Sequence, residues 1–381
     1  MFLNSSESFL VKFSEYYAQI HGRIVFPLTI FGILASLVTI VVLHKKAFRT
    51  PTNFILQHVA FFDTVVLISY NIYSLYFYIL HQPNPFVGQS QFWPRFAIFH
   101  SNIGLTAHSI ALWLTCLLAI IRYTIISKPK QAVVNSTHVI ILVWIVTFLV
   151  CLFMIPNYLI WSVVRQPAYK YFPHLYSKNS TEIVYWVSTA TGERLEQFSF
   201  VILAVCFKIL PVFILIVFSI LLILNIHHAR RLRERLRRPY LFVSSLSSST
   251  TTTSNSKREL RTTRMLVFIT LFTAFVEFPQ GLFFIASCVN KDFFFLYSHL
   301  GDVWDITSIG SSFITFIMYC LMSQQFRVEI CTLILPKCFT KSFNLKTNNV
   351  DLINGIGLKR RRRTPHTNET TSKTIQIPED L

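Results

Sequence analysis

Seven long apolar stretches divide this chain of 381 residues into spans and short connections. Each stretch reaches the roughly 20 residues that an α-helix needs to cross the core of a bilayer. A helix satisfies its own backbone hydrogen bonds in lipid, so runs of this length favour an all-α membrane protein, a seven-transmembrane helix bundle. The predicted spans are Ile24–Leu43, Phe54–Leu80, Phe96–Ile121, Val139–Trp161, Phe198–Ile226, Met265–Cys288 and Val303–Met322.

The cations are sorted to one side of these spans. Of the 35 Lys and Arg residues, 26 fall in segments 44–53, 122–138, 227–264 and 323–381, 8 fall on the other side, and Lys208 lies inside a span. Because basic loops stay in the cytoplasm, the asymmetry predicts a plasma-membrane protein with its N-terminus outside and its tail inside. Topology and attraction to anionic lipid explain the net charge of +18, so we do not expect nucleic acid binding.

The predicted domains are an extracellular N-terminal segment 1–23, the bundle 24–322 and a cytoplasmic tail 323–381. The first segment lacks a basic start followed by an apolar core, so we expect the first span to act as an uncleaved signal. Apolar residues recur at helical spacing from Phe326 to Ile334. This spacing predicts a short amphipathic helix on the inner membrane surface, followed by a disordered tail.

Several short motifs predict covalent modification. Asn4 and Asn179 begin glycosylation sequons on the predicted outer side. Cys331 and Cys338 follow the last span at the predicted inner surface, where cysteines can carry a palmitoyl group. The Ser/Thr tract 244–256 is predicted to lack regular structure and to suit phosphorylation by kinases, followed by arrestin binding. Bare sequons, unmodified thiols and a plain connector are the alternatives.

Two acidic residues lie deep in the apolar spans, Asp63 in the second and Glu277 in the sixth. A charge at that depth costs about 2.5–3.5 kcal/mol on insertion scales, so it faces the bundle interior and marks a functional candidate. The alternative is a satisfied hydrogen bond between helices. Pro279 removes a backbone hydrogen bond two residues beyond Glu277 and predicts a kink in the sixth span.

From about Ile24 to Arg327 the chain resembles the rhodopsin-like G-protein-coupled receptors. Asn53–Asp63 is similar to the signature of that family's second helix, and Arg122–Tyr123 matches the end of its Asp-Arg-Tyr motif. Tyr319 matches the tyrosine that ends its Asn-Pro-x-x-Tyr motif. The resemblance implies roles in activation and G-protein coupling for Arg122, Tyr123, Asp63, Pro279 and Tyr319.

The chain departs from that family at several positions. Ile121 replaces the acid before Arg122, and Thr315-Phe316 replaces Asn-Pro in the seventh helix. Both cysteines of the family's outer disulfide are absent, since Ala97 occupies one position and segment 162–197 contains no cysteine. These replacements remove a usual partner of Arg122 and the usual covalent restraint of the outer loop.

A closer resemblance is to the myosuppressin and FMRFamide-like neuropeptide receptors and the related serpentine-receptor class W. The residues that carry it are His108–Thr115, Glu277–Gly281, Gly301–Asp305 and Ser311–Arg327. The resemblance implies a receptor for an extracellular amidated peptide that signals through a heterotrimeric G protein.

FMRFamide-like peptides end in Arg-Phe-amide, so their pocket should offer an anion and aromatic walls. A carboxylate that holds an arginine in a partly dry pocket makes a strong, directional contact. We expect Asp305 or Glu277, or both, to pair with the ligand arginine, the alternative for the outer acids being a solvated loop or helix cap. The predicted ligand-binding residues are Glu277, Asp305, Asp302, Trp304 and Phe278.

Two other functions fit the same seven helices. One is a chemosensory receptor for a small molecule, and the other is an ion-coupled transporter that uses Asp63 and Glu277 as a path. No inverted repeat or pair of broken helices favours the transporter. An opsin needs a lysine in Val303–Met322, which has none. No protease motif such as HExxH is present, so we expect no enzymatic activity, cofactor or metal.

Overall fold

The computed structural model describes residues 2–80, 90–127, 135–170, 177–178, 181–190, 192–240, 250–289, 291–322 and 324–334. Within these ranges, seven helices are long and apolar enough to cross a membrane. We number them spans one to seven: Phe9–His44, Pro51–Leu80, Phe92–Ser127, Ser136–Ile160, Arg194–His228, Thr263–Ala286 and Gly301–Leu321. Each predicted span overlaps one of them, so the predicted bundle of seven helices is confirmed.

Several helices continue beyond the stretches that can cross a membrane, and two spans contain a π-helical turn. The α-helices are Phe2–His44, Pro51–Ser74, Phe92–Ser127, Ser136–Ile160, Glu193–Ala204, Leu210–Tyr240, Thr250–Val289, Lys291–His299, Gly301–Met322 and Gln324–Ile334. The π-helical turns are Leu75–Leu80 in span two and Val205–Ile209 in span five, and short 3-10 turns occur at Lys46–Phe48 and Ala168–Lys170.

Two polar flanking segments are helical, although their composition does not favour a helix. The first helix begins at Phe2, so the described part of segment 1–23 continues span one. The prediction that tract 244–256 lacks regular structure is wrong from Thr250, where the helix of span six begins. Extending a formed helix gains one hydrogen bond per residue fixed, so a stable span can propagate into residues of poor helix propensity.

The predicted helix after span seven is present as Gln324–Ile334. The chain forms two units, of which Met1–Arg327 contains all seven spans. Of the second unit, Val328–Leu381, the structure describes 328–334 as helix. The predicted disordered tail lies outside the described residues.

A two-stranded hairpin follows span four directly. Strands Trp161–Pro167 and Ile183–Thr189 pair antiparallel, with Trp161 opposite Thr189. The N–H of Ala190 donates to the carbonyl of Ile160 at 2.6 Å and closes the base of the hairpin. We call this end of the bundle the hairpin end, and the opposite end, where span one ends and span two begins, the basic end.

Two of the apolar clusters in the described part of the chain join different sets of spans. Spans one, two and seven bury Val25, Leu67, Tyr70 and Ile309. Spans three, five and six bury Leu112, Cys116, Ala119, Val212, Leu215 and Ala274. Gly32 permits the first contact, because an added Cβ would lie 2.9 Å from both Leu67 Cδ1 and Phe313 Cε1. Spans one, two and seven can therefore approach closely because glycine has no side chain at this position.

Span four exposes many apolar side chains and buries the polar side chain of Asn157. Trp144 and Phe148 are among its exposed residues, which suits contact with lipid tails. The amide of Asn157 donates to Asn102 Oδ1 at 2.6 Å, and the hydroxyls of Tyr158 and Thr106 lie 3.1 Å apart. Side-chain hydrogen bonds thus join span four to span three.

Candidate functional site

A buried ion pair joins spans three, five and six. Lys208 Nζ lies 2.8 Å from Glu277 Oε2, and His108 Nε2 lies 3.0 Å from Glu277 Oε1. Lys208 also donates to Gln280 Oε1 at 3.2 Å. The side chain of Glu277 has no exposed surface. Both of its carboxylate oxygens are therefore occupied by groups of the protein itself.

The irregular backbone of span five positions Lys208. This residue lies in the π-helical turn Val205–Ile209, and Pro211 follows it without an N–H to donate. The carbonyl of Cys206 instead accepts a hydrogen bond from Trp113 Nε1 at 3.2 Å. The indole of span three thus holds the turn that directs Lys208 toward span six.

Gln280 extends this network from span six to span seven. Its amide nitrogen donates to the carbonyl of Trp304 at 3.3 Å and to Ser308 Oγ at 3.0 Å. Tyr297, in the helix between spans six and seven, lies close enough to Lys208 to interact with its charge. Burial raises the pKa of Tyr297 above its ordinary value, so the phenol stays neutral. The network therefore connects four spans around one buried charge pair.

A second polar cluster lies between spans one, two and seven, and it contains two carboxylates. Tyr78 donates its hydroxyl to Asp302 Oδ1 at 2.5 Å, and Tyr70 donates to Asp305 Oδ2 at 2.9 Å. His21 Nε2 lies 2.9 Å from the Tyr70 hydroxyl. Since that hydroxyl donates to Asp305, it accepts from His21, and Nε2 carries the histidine proton. Among the described residues, neither aspartate forms a salt bridge.

Aromatic rings surround this acidic pair. Tyr73 stacks on His100 with ring centres 4.6 Å apart, and His21 lies 5.0 Å from the ring of Tyr78. Trp304, the residue before Asp305, buries its indole N–H without an acceptor among the residues that the structure describes. The cluster thus offers negative charge, flat apolar walls and one unused donor.

The structure brings only part of the predicted ligand site together. Asp302, Asp305 and Trp304 lie along one end of span seven, in the acidic cluster. Glu277 belongs to the ion pair with Lys208. Phe278 is 46% exposed, and within the described ranges no hydrogen bond or ring contact joins it to either aspartate. Lys208 was not among the predicted site residues. Its position as a lone cation inside a span nevertheless indicated that it would need a buried acid as a partner.

Three of the five residues predicted to act in coupling lie toward the basic end. Tyr319 is buried and donates its hydroxyl to Asn53 Oδ1 at 3.1 Å, which links spans seven and two. Arg122 lies near enough to Tyr319 to interact with its hydroxyl, and the ring of Tyr123 lies 5.7 Å from Phe218 in an edge-on contact. These contacts join four spans near the basic end.

The other two predicted coupling residues are placed elsewhere. Asp63 is buried in span two and lies near enough to Ser312 of span seven to interact with its hydroxyl. Pro279 lies within the continuous helix Thr250–Val289. Ile121, which replaces the family's acid beside Arg122, is buried.

A protein-family model described as "Serpentine type 7TM GPCR chemoreceptor Srw" matches residues 23–337, which include all seven predicted spans. The chain belongs to this family. The expected resemblance to rhodopsin-like receptors and to class W is thereby confirmed. This Srw protein is a multi-pass membrane receptor of the G-protein-coupled class, and its family and relatives are receptors rather than enzymes.

Three curated relatives resemble this Srw receptor over most of its length. It is 30% identical over 369 residues to G-protein coupled receptor dmsr-1 of Caenorhabditis elegans, covering 86% of this chain and 70% of the relative. It is 28% identical over 341 residues to Sex peptide receptor-related protein 2 of the same nematode, covering 86% and 74%. It is 25% identical over 384 residues to Sex peptide receptor of Drosophila melanogaster, covering 93% and 80%.

The predicted modification sites of this Srw receptor lie mostly at its margins. Cys331 is a half-buried free thiol in the helix Gln324–Ile334, and Asn4 lies in the first helix. Asn179 and Cys338 lie outside the described residues. Within the described ranges, no group of three or more His, Cys, Asp or Glu residues could hold a metal ion.

Proposed function

We propose that this Srw receptor binds an extracellular amidated peptide, of the FMRFamide-like or myosuppressin-like kind, and signals through a heterotrimeric G protein. The observation that carries the proposal is the acidic pair Asp302 and Asp305. Both carboxylates accept hydrogen bonds from tyrosines, and neither forms a salt bridge among the described residues, although Lys208 is near enough to interact with the charge of Asp305. The arginine of a ligand that ends in Arg-Phe-amide would supply a direct ion-pair partner.

The energetics favour a cation at this position. A carboxylate inside a bundle is costly unless it is paired, and a neutral phenol compensates its charge only in part. A guanidinium is weakly hydrated and forms two parallel hydrogen bonds to a carboxylate, so it suits a partly dry site. The adjacent rings of Tyr73 and His100 provide a flat surface for the aromatic residue that follows arginine in the peptide.

The buried indole of Trp304 adds a second requirement. Its N–H is shielded from solvent and has no acceptor within the described ranges, and an unpaired buried donor costs about 1–3 kcal/mol. A peptide carbonyl would satisfy it. The site is therefore complementary to a cation, an aromatic ring and a carbonyl group. A peptide that ends in Arg-Phe-amide contains all three.

Glu277 fits this role less well than Asp305. Its two oxygens already hold Lys208 and His108, so a ligand arginine would have to displace a buried ammonium group. We therefore assign the ligand arginine to the acidic pair. We give Glu277 the task of holding the walls of the pocket together through spans three, five and six.

The sidedness of the receptor follows from its charges. We propose that the hairpin end faces the outside of the plasma membrane and the basic end faces the cytoplasm. Agonist binding would favour a state in which the basic end opens to the G protein, with Arg122 and Tyr123 at the contact. Kinases and arrestin would act on tract 244–256, with glycans on Asn4 and Asn179 and palmitoyl groups on Cys331 and Cys338.

A pair of ligands matched in size but different in charge tests the proposed arginine site. Cells that express the receptor are treated with amidated peptides ending in Arg-Phe-amide or citrulline-Phe-amide, and G-protein dissociation is measured. Loss of a charged hydrogen bond costs about 1.5–3 kcal/mol, so Asp305→Asn should lower the potency of the arginine peptide roughly 10- to 150-fold. The citrulline peptide should start weak and change little.

The control variant carries the same acid-to-amide change at a residue outside the proposed arginine site. Glu182→Gln, next to the hairpin, should leave potency unchanged at matched surface expression. Equal losses for both peptides in Asp305→Asn would show that Asp305 does not pair with the ligand arginine. A receptor that reaches the surface but answers no amidated peptide would contradict the whole proposal.

A small-molecule chemoreceptor is the second candidate, because the matched family is described as chemoreceptors. It predicts a response to volatile or water-soluble small molecules in the same dissociation assay. Sensitivity to Asp305→Asn with a small amine as agonist would favour it over the peptide receptor.

A further inference from the structure

A cavity of about 490 Å³ opens at the basic end between spans one, two and four. Its volume lies within the range of small-ligand sites, which is about 300–1,000 Å³. It shares no lining residue with the ion pair or the acidic pair. The lining combines Arg49, His44 and His58 with apolar side chains such as Phe54 and Ile140, and none of its residues is acidic.

The polar side of this cavity presents donors. Arg49 is exposed and forms no salt bridge within the part of the chain that the structure describes. The amide of Gln57 donates to His44 Nδ1 at 3.2 Å, so the proton of a neutral His44 resides on Nε2, where it can be donated to a ligand. The lining thus offers a guanidinium and an imidazole N–H, with no carboxylate to oppose an anion.

The apolar side leads from the cavity to the lipid. His58 donates from Nδ1 to the carbonyl of Phe54 at 2.9 Å, and its ring lies 4.3 Å from that of Phe54. The same imidazole meets the edge of Trp144 at 6.4 Å. Trp144 is 61% exposed on the outer face of span four, where acyl chains run. A molecule in the cavity therefore has a continuous apolar surface from Ile140 and Phe54 to the bilayer.

We propose that this cavity binds the headgroup of an anionic phospholipid from the leaflet that meets the basic end. The phosphate would lie against Arg49 and His44, and the glycerol and first acyl carbons against Phe54 and Ile140. Charge complementarity favours an anionic phospholipid. A sterol has no anionic group to pair with the guanidinium, and a zwitterionic headgroup would bring a cation of its own. The start of the helix at Pro51 adds its positive dipole end on the same side.

The test uses the full-length receptor purified in detergent and titrated with fluorescent phosphatidylglycerol or phosphatidylcholine. One cation near a lipid phosphate contributes about 1 kcal/mol, so Arg49→Gln should weaken phosphatidylglycerol binding roughly fivefold. Lys46→Gln is the matched control, since Lys46 is an exposed cation three residues away that does not line the cavity. It should leave binding within twofold of wild type.

A second pair of variants tests the cavity rather than the charge. Ile140→Trp fills the apolar side and should reduce phosphatidylglycerol binding at least fivefold, whereas Ile141→Trp, an exposed neighbour outside the lining, should not. Three results would overturn the proposal. They are equal affinity for both lipids, equal effects of Arg49→Gln and Lys46→Gln, and displacement of the lipid by millimolar inorganic phosphate, which would mark a site for the free anion.

Discussion

Replacement of Lys208 by methionine should destabilise the receptor strongly. Methionine keeps an unbranched side chain that is one atom shorter but removes the ammonium that lies 2.8 Å from Glu277. At that distance and an effective dielectric constant of about 20, the lost attraction is about 6 kcal/mol. Relaxation and protonation of Glu277 recover part of it, so we expect a net loss of about 3–5 kcal/mol, as for other buried pairs that lose one partner.

The loss can be measured by heating receptor purified in detergent and following, with a reactive dye, the rise in signal from the buried thiol of Cys116 above that of the exposed thiols of Cys151 and Cys288. At roughly 2 °C per kcal/mol for a protein of this size, the apparent melting temperature should fall about 6–10 °C. The double variant Lys208→Met/Glu277→Gln should recover about half of the fall, because it removes both charges. Arg264→Met, which removes an exposed cation from span six, serves as the control.

Two outcomes would refute this reasoning. The first is a melting temperature for Lys208→Met that equals that of Arg264→Met. The second is a double variant whose destabilisation equals the sum of the two single variants, because independent residues add and paired residues do not.

Two further predictions concern contacts between spans. Gly22→Val should lower surface expression several-fold, because an added Cβ would collide with Tyr78 Cβ, whereas Gly104→Val, with no atom within 4 Å of an added Cβ, should express normally in a flow-cytometry assay. Tyr319→Phe should lose about 1 kcal/mol of stability with its hydrogen bond to Asn53 and raise basal G-protein dissociation; unchanged melting and basal signal would contradict it.

Most of the fold could be predicted from the amino-acid sequence. Apolar length alone predicted every span, since a bilayer accepts few backbone solutions. The helix after span seven was also readable, because its apolar residues repeat at helical spacing. The helical start at Thr250 was not, since Ser and Thr have low intrinsic propensity and the neighbouring span supplies the stability.

The candidate site was readable in part. Depth in an apolar run singled out Glu277, and position at the end of span seven singled out Asp302 and Asp305. Helix rotation decided the rest, since residues adjacent in sequence point about 100° apart around a helix. Glu277 is therefore fully buried, while Phe278 beside it is 46% exposed.

Local sequence thus determined which segments enter the membrane, because hydropathy is a property of each segment alone. It also determined which residues would be costly there. Only the tertiary structure decided how that cost is met. It joins Lys208 to Glu277 across 69 positions and Tyr70 to Asp305 across 235, and it leaves the acidic pair without a salt bridge among the described residues. Such pairings depend on the packing and rotation of whole helices, which no single segment specifies.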